Sequence, residues 1–129
     1  MISSMKFFQK NEFLCGCGCG KGTFDDMDQE LLQKLDLARE IAGIPFVVKF
    51  NCGGSGFRCR IHNKNVGGVD DSQHMLGKAV DIRCGDSALR FIILNALIKA
   101  GFKRIGIAKT FIHVDVKKST SCIFLYKSR

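Results

Sequence analysis

The sequence predicts an α+β domain, a small antiparallel sheet with helices packed mainly on one face. Three observations carry this. Two stretches have helical apolar spacing with a cap at one end and a stop at the other. Several apolar runs are only of strand length, and one of them alternates. Short connections join these elements, with no linker or internal repeat between them. At 129 residues the chain is read as a single domain spanning 1–129, long enough to bury a core of its own.

Residues 1–14 hold a short apolar segment, Phe7-Phe8 and then Phe13-Leu14. A turn follows, Cys15-Gly16-Cys17-Gly18-Cys19-Gly20. Its thiols lack the C-x-x-C spacing of a zinc ribbon, so the favoured reading is a loop whose small side chains pack against the domain. A second, structural metal site and a redox-sensitive loop are the competing readings. Asp25, Asp26 and Asp28 offer cap chemistry for a helix from about Asp28 to Ala42. Leu31, Leu32, Leu35, Ala38, Ile41 and Ala42 follow helical spacing, Gly43 ends the run and Pro45 blocks its continuation.

Phe46 to Phe50, rich in Val and Phe, reads as a buried strand, and Asn51 to Gly56 as a flexible turn. Arg58 to Lys64 reads as a short helix or turn, and Val66 to Asp71 as a loop. Ala79, Val80 and Ile82 surround Asp81 as a short buried strand. Asp86-Ser87 caps a second helix, about Ala88 to Ala100, ended by Gly101. Its apolar surface is wide, which predicts a largely buried helix. Lys103 to Ala108 and Phe111 to Val116 read as strands joined at Lys109-Thr110. The basic tail from Lys117 carries one apolar patch, Ile123 to Tyr126, suited to an edge strand.

The formal net charge is +8 and the sequence pI is near 9.3. This describes a solvated basic surface or a surface for an anionic partner. Nucleic acid is not the expected partner, because there is no binding motif, no Trp and no dense Lys/Arg run. Seven cysteines leave at least one thiol unpaired if the rest bridge within the chain. Nothing at the N-terminus reads as a signal peptide, so synthesis in a reducing cytosol is expected. The longest apolar patch, Phe91 to Leu94, is far below membrane-spanning length, and a monomer is expected.

The chemistry concentrates in Ser72-Gln73-His74-Met75-Leu76-Gly77-Lys78-Ala79-Val80-Asp81. Gly77 stands where the backbone can turn sharply between the imidazole and the carboxylate. A carboxylate in a buried strand needs a partner, because an unpaired buried charge costs several kcal/mol or more. A metal ion is one such partner. In Phe111-Ile112-His113-Val114-Asp115-Val116, alternation puts Phe111, His113 and Asp115 on one strand face. His74, Asp81 and His113 make a ligand set that suits Zn2+ with its fourth position open, a site that polarises a carbonyl and yields hydroxide near neutral pH.

The pattern S-x-H-x-x-G-x-A-x-D, followed by a strand carrying H-x-D, resembles the zinc D-Ala-D-Ala carboxypeptidase family. That family shares its fold with the hedgehog signalling domain and includes small phage endolysin peptidases. The resemblance runs from about Phe8 to Val116, and Ser55-Gly56-Phe57-Arg58-Cys59 with His62-Asn63 is similar to the family's S-G-[YF]-R segment. It implies a zinc peptidase that cuts peptidoglycan stem peptides or cross-bridges, as a carboxypeptidase or an L-alanyl-D-glutamate endopeptidase. It assigns the metal to His74, Asp81 and His113. It places Arg58 against a substrate carbonyl or carboxylate, where a guanidinium binds an oxyanion through two donors. Teichoic acids or stem-peptide carboxylates would meet the basic surface. A phage protein of this kind is made in the host cytoplasm and acts on the wall after release.

Other roles stay open at the level of sequence. Ser72 either orients a ligand, binds substrate or only makes the turn. Many family members carry an acid or His three residues before the last ligand, where this chain has Thr110. Asp115 is then either the general base or the carboxylate that orients a ligand imidazole. His62 is a further candidate for the base, with a surface residue in the turn as the favoured reading. Two further classes compete with the enzyme: a non-catalytic wall-binding module that keeps the metal site, and a cysteine-based redox or metal-storage protein resting on Cys15, Cys17 and Cys19.

Overall fold

The computed structural model describes residues 2–50 and 54–127. Three α-helices and four strands follow in the order α1 (Gln29–Ala42), α2 (Arg60–Asn65), β1 (Ala79–Arg83), α3 (Ser87–Lys99), β2 (Arg104–Ile107), β3 (Phe111–Asp115) and β4 (Cys122–Leu125). Asp28 caps α1 by accepting the Leu31 N–H at 3.1 Å, and Gly43 closes it in the left-handed conformation. Asp86 caps α3 by accepting the Ala88 N–H at 2.8 Å. None of the described helices is long and apolar enough to cross a membrane.

The sheet order is β1-β3-β2-β4. β3 pairs antiparallel with both β1 and β2, whereas β4 pairs parallel with β2. The sheet is therefore mixed rather than wholly antiparallel. The chain leaving β3 passes β2 and returns along its free edge, where the Cys122 N–H bonds the Lys103 carbonyl at 2.9 Å.

Alternation divides the sheet into two faces. Val80, Ile82, Ile105, Ile112 and Val114 point into the core. Leu31, Leu32, Leu35 and Ala38 of α1, and Ile93, Ala96 and Leu97 of α3, pack against them. Asp81, His113 and Asp115 occupy the alternate positions and hence the other face. The long helices cover one side of the sheet and leave the other for chemistry.

Two expectations are corrected. Phe46 to Phe50 forms no strand. Phe46 and Val48 are buried, but the segment meets β1 through the Arg83 N–H to Val47 carbonyl bond alone, at 2.9 Å. One bond ties it to the sheet edge without a ladder, and the turn predicted after it lies partly outside the described residues. Helix α3 is not largely buried: Phe91 is 73% exposed and Ile98 50%. Apolar residues surround this helix, but its buried stripe runs through Ile93, Ala96 and Leu97, with Leu94 partly buried beside it.

Candidate active site

In the β1–β3 register Asp81 lies opposite His113, and their side chains meet with His113 Nδ1 2.9 Å from Asp81 Oδ1. His74 arrives from a 3-10 turn, Gln73–Leu76, and brings Nε2 to 3.4 Å from the same oxygen. All three side chains are buried. The turn forms because Ser72 Oγ accepts the His74 N–H at 3.2 Å at its start and Gly77 ends it at φ 68°. A Cβ at Gly77 would stand 2.1 Å from the Asp26 carbonyl oxygen. The Gly77 carbonyl itself accepts the Asp28 N–H at 2.9 Å, which ties the motif to the start of α1.

Each imidazole is aimed by a bond on its far edge. His74 Nδ1 is 2.8 Å from the Gly56 carbonyl, which only accepts, so Nδ1 carries the proton and Nε2 turns toward Asp81. His113 Nε2 is 2.7 Å from Asp115 Oδ2, so Nδ1 is the nitrogen that faces Asp81. Asp115 is held in turn, accepting the Lys117 N–H at 3.1 Å and lying 3.3 Å from Arg104 Nε. Burial would raise Asp81, but His74 and His113 outweigh it and hold the carboxyl below the usual range. Burial would lower His113, but the bonds to Asp115 and Asp81 lift it to about 9.

Arg58 is fixed along its length. Its N–H bonds the His74 carbonyl at 3.1 Å, Nε donates to the Gly54 carbonyl at 2.9 Å, and Nη1 donates to Asn63 Oδ1 at 3.1 Å. Nη2 then lies 3.7 Å from Asp81 Oδ2. Burial lowers the guanidinium's pKa and the Asp81 charge opposes the shift; an Arg stays charged in either case.

The donor set fits a metal. His74 Nε2, Asp81 Oδ1 and His113 Nδ1 lie within 4.8 Å of one another. Ligands about 2.0–2.1 Å from a tetrahedral zinc stand roughly 3.3 Å apart, and the observed 2.9 and 3.4 Å bracket that spacing. Both rings carry the far-edge partners that metal-ligating histidines use.

His74 and Asp81 of this group line a cleft of about 860 Å³. Arg58, His62, Lys109 and Lys127 line it, and Asp81 is its one acidic residue among those described. Thr110 lies exposed at the rim. His62 is not the expected surface residue: it is buried, with its ring over Gly54. Ser72 lines the cleft as well as capping the turn.

The family model described as Peptidase M15 matches residues 6–115. The chain belongs to the peptidase M15 family. The match covers the segments of this M15 peptidase that carry Arg58, His74, Asp81 and His113, and it ends at Asp115. A search of curated proteins finds no match.

Sequence reasoning did not single out Tyr126 and Asn63. Asn63 holds Arg58 and donates Nδ2 to the Val69 carbonyl at 2.8 Å. Its signal was adjacency to His62 in the matched segment. Tyr126 lies beyond the matched residues, just after β4, yet it lines the cleft with its ring centroid 6.3 Å from that of His113. Gly106, opposite His113 on β2, makes room for it: a Cβ there would stand 2.5 Å from the Phe124 ring and 2.7 Å from the Tyr126 ring.

Proposed function

We propose that this M15 peptidase is a zinc-dependent hydrolase of peptide bonds in peptidoglycan stem peptides or cross-bridges. The observation that carries the proposal is the convergence of His74 Nε2, Asp81 Oδ1 and His113 Nδ1 beside a basic cleft, each ring already bonded on its far edge. Zinc held there would supply Lewis acidity, polarising the scissile carbonyl and acidifying a water.

The chain's own residues bind and orient the substrate and the ligand rings. Arg58 presents a fixed guanidinium beside Asp81 and stabilises negative charge developing on the carbonyl oxygen. Tyr126 is protonated at neutral pH as any phenol is, burial and then the Asp81 charge push it further up to about 12, and it lines the cleft wall as a donor. Lys109, Lys127 and Arg58 attract peptides rich in carboxylates, as stem peptides are. Asp115 orients His113 rather than acting as general base, because one oxygen takes the ring N–H and the other faces Lys117 N–H and Arg104. Ser72 shapes the turn that delivers His74.

The test is digestion of purified peptidoglycan by zinc-supplemented protein, with and without chelator, read by mass spectrometry of the muropeptides. New amino or carboxyl termini that chelator abolishes support the peptidase and identify the bond cut. Unchanged muropeptides, with the protein retained on the wall, favour a binding module.

A further inference from the structure

The Gly-rich loop does not pack all its thiols inward. Cys15 is buried, but Cys17 and Cys19 are exposed. Cys59, the residue after Arg58, joins them, and the four sulfurs lie within 4.8 Å of one another. Cys15 Sγ is 3.4 Å from Cys17 Sγ, which is 3.5 Å from Cys59 Sγ. Four thiolates about 2.3 Å from a tetrahedral zinc stand roughly 3.8 Å from one another, so small shifts of the side chains would admit the ion.

We propose that Cys15, Cys17, Cys19 and Cys59 form a structural zinc site, distinct from the group of His74, Asp81 and His113. Four sulfur donors leave no open position, which is the pattern of structural rather than catalytic zinc, and soft thiolates favour this ion over hard cations.

The backbone is shaped for it. In an extended strand the Cα atoms of Cys15 and Cys19 would stand about 13 Å apart. Left-handed backbone at Gly18 (φ 81°) and Gly20 (φ 82°) curls the loop instead, and the Cys15 N–H to Lys21 carbonyl bond closes it at 2.8 Å. Two N–H groups already point at sulfur: Cys59 N–H at Cys15 Sγ and His62 N–H at Cys59 Sγ, both 3.4 Å. Such donors favour the thiolate form, and metal binding needs thiolates. The two segments are also joined by the Phe57 N–H to Phe13 carbonyl bond at 3.0 Å. Zinc here would staple the N-terminal loop to the start of α2 and fix the chain one residue from Arg58.

The test is cobalt(II) substitution in reduced protein, read as thiolate-to-cobalt charge-transfer absorption in the near ultraviolet, with zinc content measured in parallel. The band is expected in wild type and in His74→Ala, and it is expected to vanish in the double variant Cys17→Ser/Cys19→Ser. Both changes in the double variant are at exposed positions, so a native circular dichroism spectrum is expected. Zinc content should be about two ions per chain in wild type and about one in the double variant. Absence of the band in reduced wild-type protein overturns the proposal. So does a band unchanged in the double variant, an iron–sulfur absorption spectrum, or disulfides among the four cysteines in protein purified with reductant and zinc.

Discussion

His113 donates Nε2–H to Asp115 at 2.7 Å on the ring edge opposite the one that faces Asp81. The two residues share one face of β3, and the strand's own alternation makes the contact. Asp115 is thereby directed to the ring rather than to the cleft, which supports the proposal that this carboxylate, left open as a base by the sequence alone, aims a zinc-binding imidazole.

Asp115→Asn is accordingly expected to weaken zinc binding at the main site by ~10- to 100-fold, with much of the rate restored by added zinc. A chelator-competition titration beside the rate at saturating zinc checks this. Full zinc affinity with a rate that zinc does not restore would return Asp115 to the role of base.

Arg58→Lys is expected to lower kcat/KM by ~10-fold or more while zinc content stays unchanged. Lysine keeps the charge but cannot bond Gly54 and Asn63 while also reaching over Asp81. Steady-state kinetics on a defined muropeptide, with elemental analysis of the same preparation, makes the comparison.

Zinc affinity at the main site is expected to rise with pH up to about 9. The metal-free His113 is raised to about 9, so below that value a proton occupies Nδ1 and must leave when zinc binds. The gain is about tenfold per pH unit while that one proton is displaced, and it ceases above the His113 value. Isothermal titration in buffers of different ionisation enthalpy measures the protons released. The Cys17→Ser/Cys19→Ser background removes zinc binding at the proposed four-cysteine site from the titration.

Thr110→Glu is expected to raise turnover by ~10-fold or more. Thr110 stands exposed at the cleft rim, and no described lining residue other than Asp81 carries a carboxylate. A Glu there would add a second carboxylate to the cleft, at the position where the resemblance places an acid or His in many family members. Equal rates for Thr110→Glu and wild type would mean that proton transfer does not limit the reaction.

Local signals made part of this legible in the sequence. Asp28 and Gly43 bound α1 through chemistry within a few residues, and Gly77 marks a backbone conformation that a side chain would obstruct. His74, Asp81 and His113 were legible because their spacing forms a motif. What depended on distant neighbours was not. Phe46 to Phe50 has strand composition, but whether it pairs depends on the edge it meets. Burial of α3 depends on what covers it, and nothing in Phe91 says that this face stays uncovered. Cys59 joins Cys15, Cys17 and Cys19 across some 40 residues, and Tyr126 reaches the cleft only because β4 runs parallel to β2.

The most direct test of the central claim is muropeptide analysis of peptidoglycan digested side by side by zinc-loaded wild type and His74→Ala. The wild type is expected to release new peptide termini. His74→Ala is expected to release none and to carry about one zinc ion fewer per chain, since the two remaining protein ligands hold zinc poorly. Cleavage by His74→Ala at the wild-type rate, or intact peptidoglycan after incubation with zinc-loaded wild type, would contradict the account.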